Sequence, residues 1–264
     1  MGRNITEAEA EERLLQELQH HLSGWLSKIV EDFSEEHYEN ELKQLKSDPV
    51  YSQFGFAIPE YVLIRLMGRL SISIGRRLGE IYDKVPRFLT AYRFDLKPDE
   101  IAPLFGKLQL DIGIPLERLS GEDQDHVKSV FNEYFPGSDI GNGIGIEIRY
   151  NFNPNDSSRL RKDEDMSSKL QSGGLFPIYL IFSEISPRDE AIERLKRAGW
   201  NFLIGKHADD FMNKLVGMDF SKILGGQKIQ KYIRSEIDAL MSEMLNSEAF
   251  KLGSETDNKK PKIE

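Results

Sequence analysis

Two runs of the chain alternate apolar and polar residues with a period of two. In the first, Leu108, Leu110, Ile112 and Ile114 alternate with Gln109, Asp111 and Gly113. In the second, Ile144, Ile146, Ile148 and Tyr150 alternate with Gly145, Glu147, Arg149 and Asn151. Successive side chains of a strand point to opposite faces, so each run predicts a strand with one apolar and one polar face. Placed side by side, these strands put Asp111, Glu147 and Arg149 on one surface. Two carboxylates and a cation of that kind can hold Mg²⁺ and meet phosphate.

Other segments follow helical spacing. Residues 6–46 are charged, with Leu14, Leu15, Leu18, Leu22, Leu26 and Ile29 mostly at three- and four-residue steps, which predicts a helical region broken by Ser47-Asp48-Pro49. A second long helix is expected from Glu60 to Lys84, closing before Pro86. Ser120 reads as the N-cap of a helix to Tyr134, with Asp123 as its capping-box acid. A helix over 158–171 ends at Gly173-Gly174, and the near-continuous apolar run Phe176 to Phe182 suits a strand buried on both faces. Ser186-Pro187 opens a helix to Gly199, Trp200 to Ile204 is a short strand, and helices over 206–216 and 227–246 follow. Strands alternating with helices predict an α/β domain, a mixed central sheet flanked by helices. The division expected is a helical region over 1–59, an α/β domain over 60–250 and a polar, disordered tail over 251–264.

Composition removes several chemistries. With no cysteine there are no disulfides, no thiol nucleophile and no Cys-based zinc site, and an intracellular, cytoplasmic setting is the default. The histidines show no ligand spacing, and His20-His21 reads as solvated helix surface. No apolar run is long enough to span a bilayer, so no membrane partner is expected. The net charge of −9 weighs mildly against nucleic-acid binding, but the acid concentrates in 7–48 and 236–264 while arginines gather in the middle of the chain.

On the 60–84 helix, Arg65, Arg69, Arg76, Glu80 and Asp83 fall within about a 60° arc. Such a stripe is either the solvated edge of an amphipathic helix or a face turned toward a metal and a phosphate backbone. After the second strand, Asn153, Asn155, Arg159, Arg161 and Lys162 carry the side-chain types that read base edges and phosphates. The same stretch is equally a polar turn capping the next helix, with Asp156 or Ser157 as N-cap.

The combination is a glutamate on a long helix, an aspartate in one strand, Glu-x-Arg in a later strand, then helix, buried strand and helix. It resembles the PD-(D/E)xK nuclease core, and more closely the ApaLI-like type II restriction endonucleases. The resemblance rests on Gly75 to Glu80, Leu110 to Pro115, Gly145 to Leu160, Leu175 to Ser183, Ile185 to Asp189 and Ala198 to Leu203, and spans roughly residues 60–220. It implies a PD-(D/E)xK restriction-endonuclease-like core with an added N-terminal helical region. Asp111 and Glu147 would be the metal-binding acids, Glu80 a helix acid touching the metal, and Arg149 would stand where the pattern has lysine. Leu110, rather than proline, precedes Asp111. Arginine stays protonated, so it cannot serve as a general base.

The function implied is Mg²⁺-dependent cleavage of double-stranded DNA at a short palindrome, of which the ApaLI-type site GTGCAC is an example, by a homodimer in a bacterial cytoplasm. Arg65, Arg69, Arg76, Asn153, Asn155, Arg159, Arg161 and Lys162 would contact the DNA. Two other readings stay open at this point: a non-cleaving DNA-binding protein on a nuclease-like fold, and a helical scaffold for protein partners.

Overall fold

The structure is a computed structural model that describes residues 6–22, 31–150, 157–185 and 189–254, without the side chains of residues 21, 77, 78, 81–83 and 157. Four strands form the main sheet: β3 (Ile112–Pro115), β4 (Gly143–Arg149), β5 (Leu175–Ile181) and β6 (Asn201–Ile204), hydrogen-bonded in that order. β3 runs antiparallel to β4, and β4, β5 and β6 are mutually parallel. Before them, β1 (Leu104–Phe105) and β2 (Leu108–Gln109) form a small separate ribbon around Gly106, whose φ of 69° suits the turn. The protein is thus a mixed α/β structure with a mixed central sheet flanked by helices, as the alternation of strands and helices predicts. Among the described residues, no helix is long and apolar enough to cross a membrane.

The parallel connections fix where the helices go, since each return needs a crossover. The Ser157–Ser172 and Asp189–Arg197 helices cover one face of the sheet. There Leu160, Met166, Leu170, Ile192 and Leu195 pack with Tyr179, Ile181 and Trp200. The Gly121–Tyr134 and Lys206–Val216 helices meet over aromatic rings that include Phe176 of the other face: Phe131 lies edge-on to Phe176 at 4.8 Å, and Tyr134 edge-on to Phe211 at 5.2 Å. Ser120 caps the Gly121–Tyr134 helix as expected, accepting from the Asp123 N–H at 3.2 Å. Arg93 holds the Asp123 carboxylate at 2.7 Å. Burial opposes ionisation of Asp123, but the Ser120 hydroxyl and Arg93 together hold its pKa below the ordinary value.

The chain divides into two compact units. One comprises residues 1–14 and 78–226 and holds the sheet; the other comprises 15–77 and 227–264 and is helical. In the helical unit, Leu45, Val62, Leu66, Leu240 and Met244 are buried. So is Glu41, which pairs with Arg65 at 3.5 Å and with Arg69. Asp48 caps the short Pro49–Gln53 helix through its side chain.

The 6–46 region is helical where described, in the separate helices Glu7–Leu22 and Glu35–Ser47, the latter capped by Ser34, and residues 23–30 lie outside the described set. Three sequence expectations are corrected. The long helix does not close before Pro86 but runs Pro59–Phe94. A proline inside a helix costs about 3 kcal/mol; here Val85 and Leu89 are buried on either side of it, and burial of that order offsets the loss. The 108–114 run is not one strand. β2 pairs with β1, the Leu110 N–H is taken by Pro103 O at 3.1 Å, and the chain bends at Asp111 before joining β4. Residues 251–254 are not a disordered tail but the end of a Glu248–Ser254 helix with Ala249 and Gly253 buried; 255–264 lie outside the described residues.

Close approach of the Ser157–Ser172 helix to β4 depends on Gly145. A Cβ there would stand 2.6 Å from Leu170 Cδ2 and 3.3 Å from Leu110 Cδ2. Gly145→Ala should therefore destabilise the protein by roughly 1–3 kcal/mol through overpacking, read as a lowered urea midpoint with an unchanged slope.

Candidate active site

The β3–β4 register places Ile112 opposite Ile146, so continuing the ladder by one residue sets Asp111 opposite Glu147. At that point the backbone has bent, and the side chain of Asp111 continues the pairing instead: its Oδ2 accepts from the Ile148 N–H at 2.9 Å. The bend also moves Leu110 to the Gly145 side of the sheet, among Leu160, Leu170 and Tyr179. Strict alternation is thus lost at Leu110 and Asp111. Nor is the acid-bearing face of β4 a solvated one, since both faces of β4 are buried as far as Ile148.

Buried acids need partners, and here the partner is one guanidinium. Arg149 donates from Nη1 to Asp111 Oδ2 at 3.1 Å and from Nη2 to Glu147 Oε2 at 3.0 Å, and its Nη2 lies 3.6 Å from Asp163 Oδ1. Nη1 also donates to the Ile148 carbonyl. The guanidinium lies over the ring of Tyr179, 5.6 Å from its centroid. Tyr179 stands opposite Glu147 on β5, and its hydroxyl donates to Asp163 Oδ2 at 3.0 Å. A second arginine, Arg87, holds Asp111 from the long helix: Nε donates to the carbonyl at 2.7 Å and Nη2 to Oδ1 at 3.0 Å.

The electrostatics follow from burial. Glu147 is only 5% exposed. Its burial, and then the neighbouring Asp111 within hydrogen-bonding reach, push its pKa well above the usual carboxylate range despite Arg149. Asp163 is raised as well, chiefly by burial, with Arg149 and the Tyr179 hydroxyl opposing. Burial works against charge on Arg149, but Tyr179, Glu147, Asp111 and Asp163 outweigh it and raise its pKa well above the ordinary value. The cluster is acid-rich and retains Arg149 as a permanent cation.

A cavity of about 340 Å³ opens on this cluster, lined by Asp111, Glu147, Arg149 and Asp163 and by the polar residues Gln109, Ser158, Arg159 and Lys162, with Leu108 and Met166. Five residues singled out from sequence therefore meet here: Asp111, Glu147, Arg149, Arg159 and Lys162. Glu80 is not among the described residues lining the cavity, although Gly79 beside it approaches the Tyr150 ring. Arg161 is exposed on the Ser157–Ser172 helix and does not line it either. Arg65 and Arg69 belong to the helical unit, where both pair with Glu41, and Arg76 is exposed in that unit. Asn153 and Asn155, the Asp156 N-cap and the Ser186-Pro187 helix start lie outside the described residues. Sequence reasoning missed Asp163, Tyr179 and the role of Arg87.

Among the described residues, no three His, Asp or Glu side chains are placed together as a metal-binding group. Mg²⁺, however, commonly takes only one or two carboxylates, with water and substrate phosphate completing its shell. Asp111 and Glu147, in contact on a cavity wall, fit that donor set.

The fold and cluster define a mixed α/β protein with a buried carboxylate–guanidinium centre at the mouth of a basic-rimmed cavity. No family model, no curated protein and no solved structure matches the chain.

Two outcomes follow. Arg149→Met takes the guanidinium from Glu147 and leaves Asp111 to Arg87 and Asp163 to the Tyr179 hydroxyl, and should cost roughly 3–5 kcal/mol, measured by urea unfolding. Glu147 has a folded-state pKa above its unfolded value, so its contribution is fully present below about pH 4.5 and is lost as pH rises through the folded pKa. Glu147→Gln mimics the protonated acid, so its melting temperature relative to wild type should climb as pH rises above about 4.5.

Proposed function

We propose that the protein is a Mg²⁺-dependent type II endonuclease that hydrolyses phosphodiester bonds in double-stranded DNA at a short palindrome, acting as a homodimer in a bacterial cytoplasm. The observation that carries this reading is the convergence of Asp111 and Glu147. One acid sits at the bend before a strand, the other is opposite it on the antiparallel neighbour, and a helix and a parallel strand follow. Both face one cavity whose rim carries Arg159 and Lys162. That order of elements and acids is what the PD-(D/E)xK resemblance implies, and a palindromic site suits two-fold symmetry.

In this reading Asp111 and Glu147 would hold the metal. Mg²⁺ bound there supplies charge neutralisation at phosphate and a lowered pKa for the attacking water. Arg149 keeps its proton throughout and acts by placing positive charge beside the scissile phosphate. Arg159 and Lys162, exposed at the rim, attract the DNA backbone. Glu147 must give up its proton to bind a metal, so affinity for Mg²⁺ should strengthen as pH rises.

One observation favours a second reading, a non-cleaving DNA-binding protein on the same fold. Both oxygens of Asp111 are already engaged, Oδ1 by Arg87 and Oδ2 by Ile148 N and Arg149, as in a purely structural clasp. Incubation of the full chain with phage or plasmid DNA and Mg²⁺ separates the two. Cleavage predicts discrete bands, reduced more than roughly a hundredfold in Asp111→Asn and in Glu147→Gln. DNA retention without any Mg²⁺-dependent cutting would assign the non-cleaving role.

A further inference from the structure

We propose that Asp163 is a positioning residue: it keeps Arg149 beside the Asp111–Glu147 pair when a divalent cation takes over those two carboxylates. This rests on the nuclease reading above.

The Arg149 guanidinium holds Asp111 through Oδ2 and Glu147 through Oε2, each at hydrogen-bond distance. A cation drawing on those carboxylates competes with the guanidinium for the same negative charge. The basic residues around the cavity, Arg87, Arg159 and Lys162, then offer Arg149 only repulsion. Among the described residues, the one remaining acid in contact with it is Asp163, whose Oδ1 lies 3.6 Å from Nη2, the same nitrogen that serves Glu147.

Asp163 is built to hold still during such an exchange. It comes from the Ser157–Ser172 helix rather than from β4 or the bend before β3, which carry the other two acids. It is 6% exposed. Its Oδ2 accepts the Tyr179 hydroxyl at 3.0 Å, and its backbone carbonyl accepts the Trp200 indole N–H at 2.8 Å. Tyr179 and Trp200 pack edge to face at 5.3 Å, and Phe202 stacks on Tyr179 at 4.9 Å. With Oδ2 tied back, Oδ1 is presented to Arg149, whose guanidinium already lies over the Tyr179 ring. Ring below and carboxylate beside it form a seat for Arg149 that does not involve Asp111 or Glu147.

The plainer alternative is that Asp163 only accepts hydrogen bonds from Tyr179 and Trp200. Asp163→Asn separates the two, because an asparagine keeps an oxygen for Tyr179 and the same backbone carbonyl for Trp200 while losing the charge. Two measurements on the full-length chain decide. In ¹⁵N spectra without DNA, the Arg149 Nε–Hε signal of the wild type should stay sharp as Mg²⁺ is added, and that of Asp163→Asn should broaden or vanish. In cleavage assays, Asp163→Asn should lower kcat roughly ten- to a hundredfold with KM for DNA changed less than about twofold, the size usual for a residue that orients a reacting group. Asp163→Glu, which restores the charge, should recover part of kcat, and it serves as the test variant if the asparagine chain does not fold. A wild-type chain that cuts DNA, together with a variant of unchanged kcat or an unchanged Arg149 signal under Mg²⁺, overturns the role of Asp163 alone. A wild-type chain that neither cuts DNA nor responds to Mg²⁺ overturns the nuclease reading and this inference with it.

Discussion

The interior of this protein depends on one guanidinium shared among three carboxylates. Glu147 on β4, Asp111 at the bend before β3 and Asp163 on the Ser157–Ser172 helix all turn inward, and Arg149 contacts each of them. Without it, a sheet face covered by helices would hold Glu147 with no cation beside it, a cost of several kcal/mol. With it, elements far apart in sequence acquire a fixed relation: two strands, a helix and, through Tyr179, the next parallel strand. The excess of acid then has a chemical consequence. Burial and the neighbouring Asp111 hold the Glu147 pKa well above the usual carboxylate range, so the charge of the centre depends on pH.

The bend at Asp111 is the backbone counterpart of that cluster. Leaving the β1–β2 ribbon, the chain changes partners within two residues, and the Asp111 carboxylate takes the Ile148 N–H that a regular ladder would give to a carbonyl. Arg87 then clamps the bend by gripping the carbonyl and the carboxylate of the same residue. A side chain that substitutes for backbone is fixed in position to within the tolerance of a hydrogen bond. This is the kind of rigidity a ligand-holding acid needs.

Where a single period governed a segment, the sequence was readable. The alternation in Gly143 to Arg149, the continuous apolar run ending near Phe182 and the Ser120–Asp123 capping pair appear in the structure with bounds close to those expected. What failed was punctuation that tertiary contacts override. Pro86 reads as a stop, yet the burial of Val85 and Leu89 carries the helix through it. Leu110 and Asp111 read as one more step of alternation, because period-two reasoning has no term for a strand that changes partners. Asp163 was hidden by its neighbours, since Arg161-Lys162-Asp163-Glu164-Asp165 looks like solvated helix surface. The signal that could have exposed it is positional. Asp163 lies three residues after Leu160 and three before Met166, on the apolar face of its own helix, where an acid has to find a buried partner.

That placement also accounts for an arginine, rather than a lysine, at position 149. A lysine ammonium is a single point of charge and suits one or two nearby acids. Here the acids stand in three directions and the cation must fork: Nη1 toward Asp111, Nη2 toward both Glu147 and Asp163, with the flat face laid on Tyr179. Only a planar guanidinium satisfies that arrangement. Arg149 and Asp163 are therefore best understood as one structural choice. The extra acid on the helix calls for the wider cation on the strand, and the wider cation in turn ties the helix to β4 and to the bend before β3.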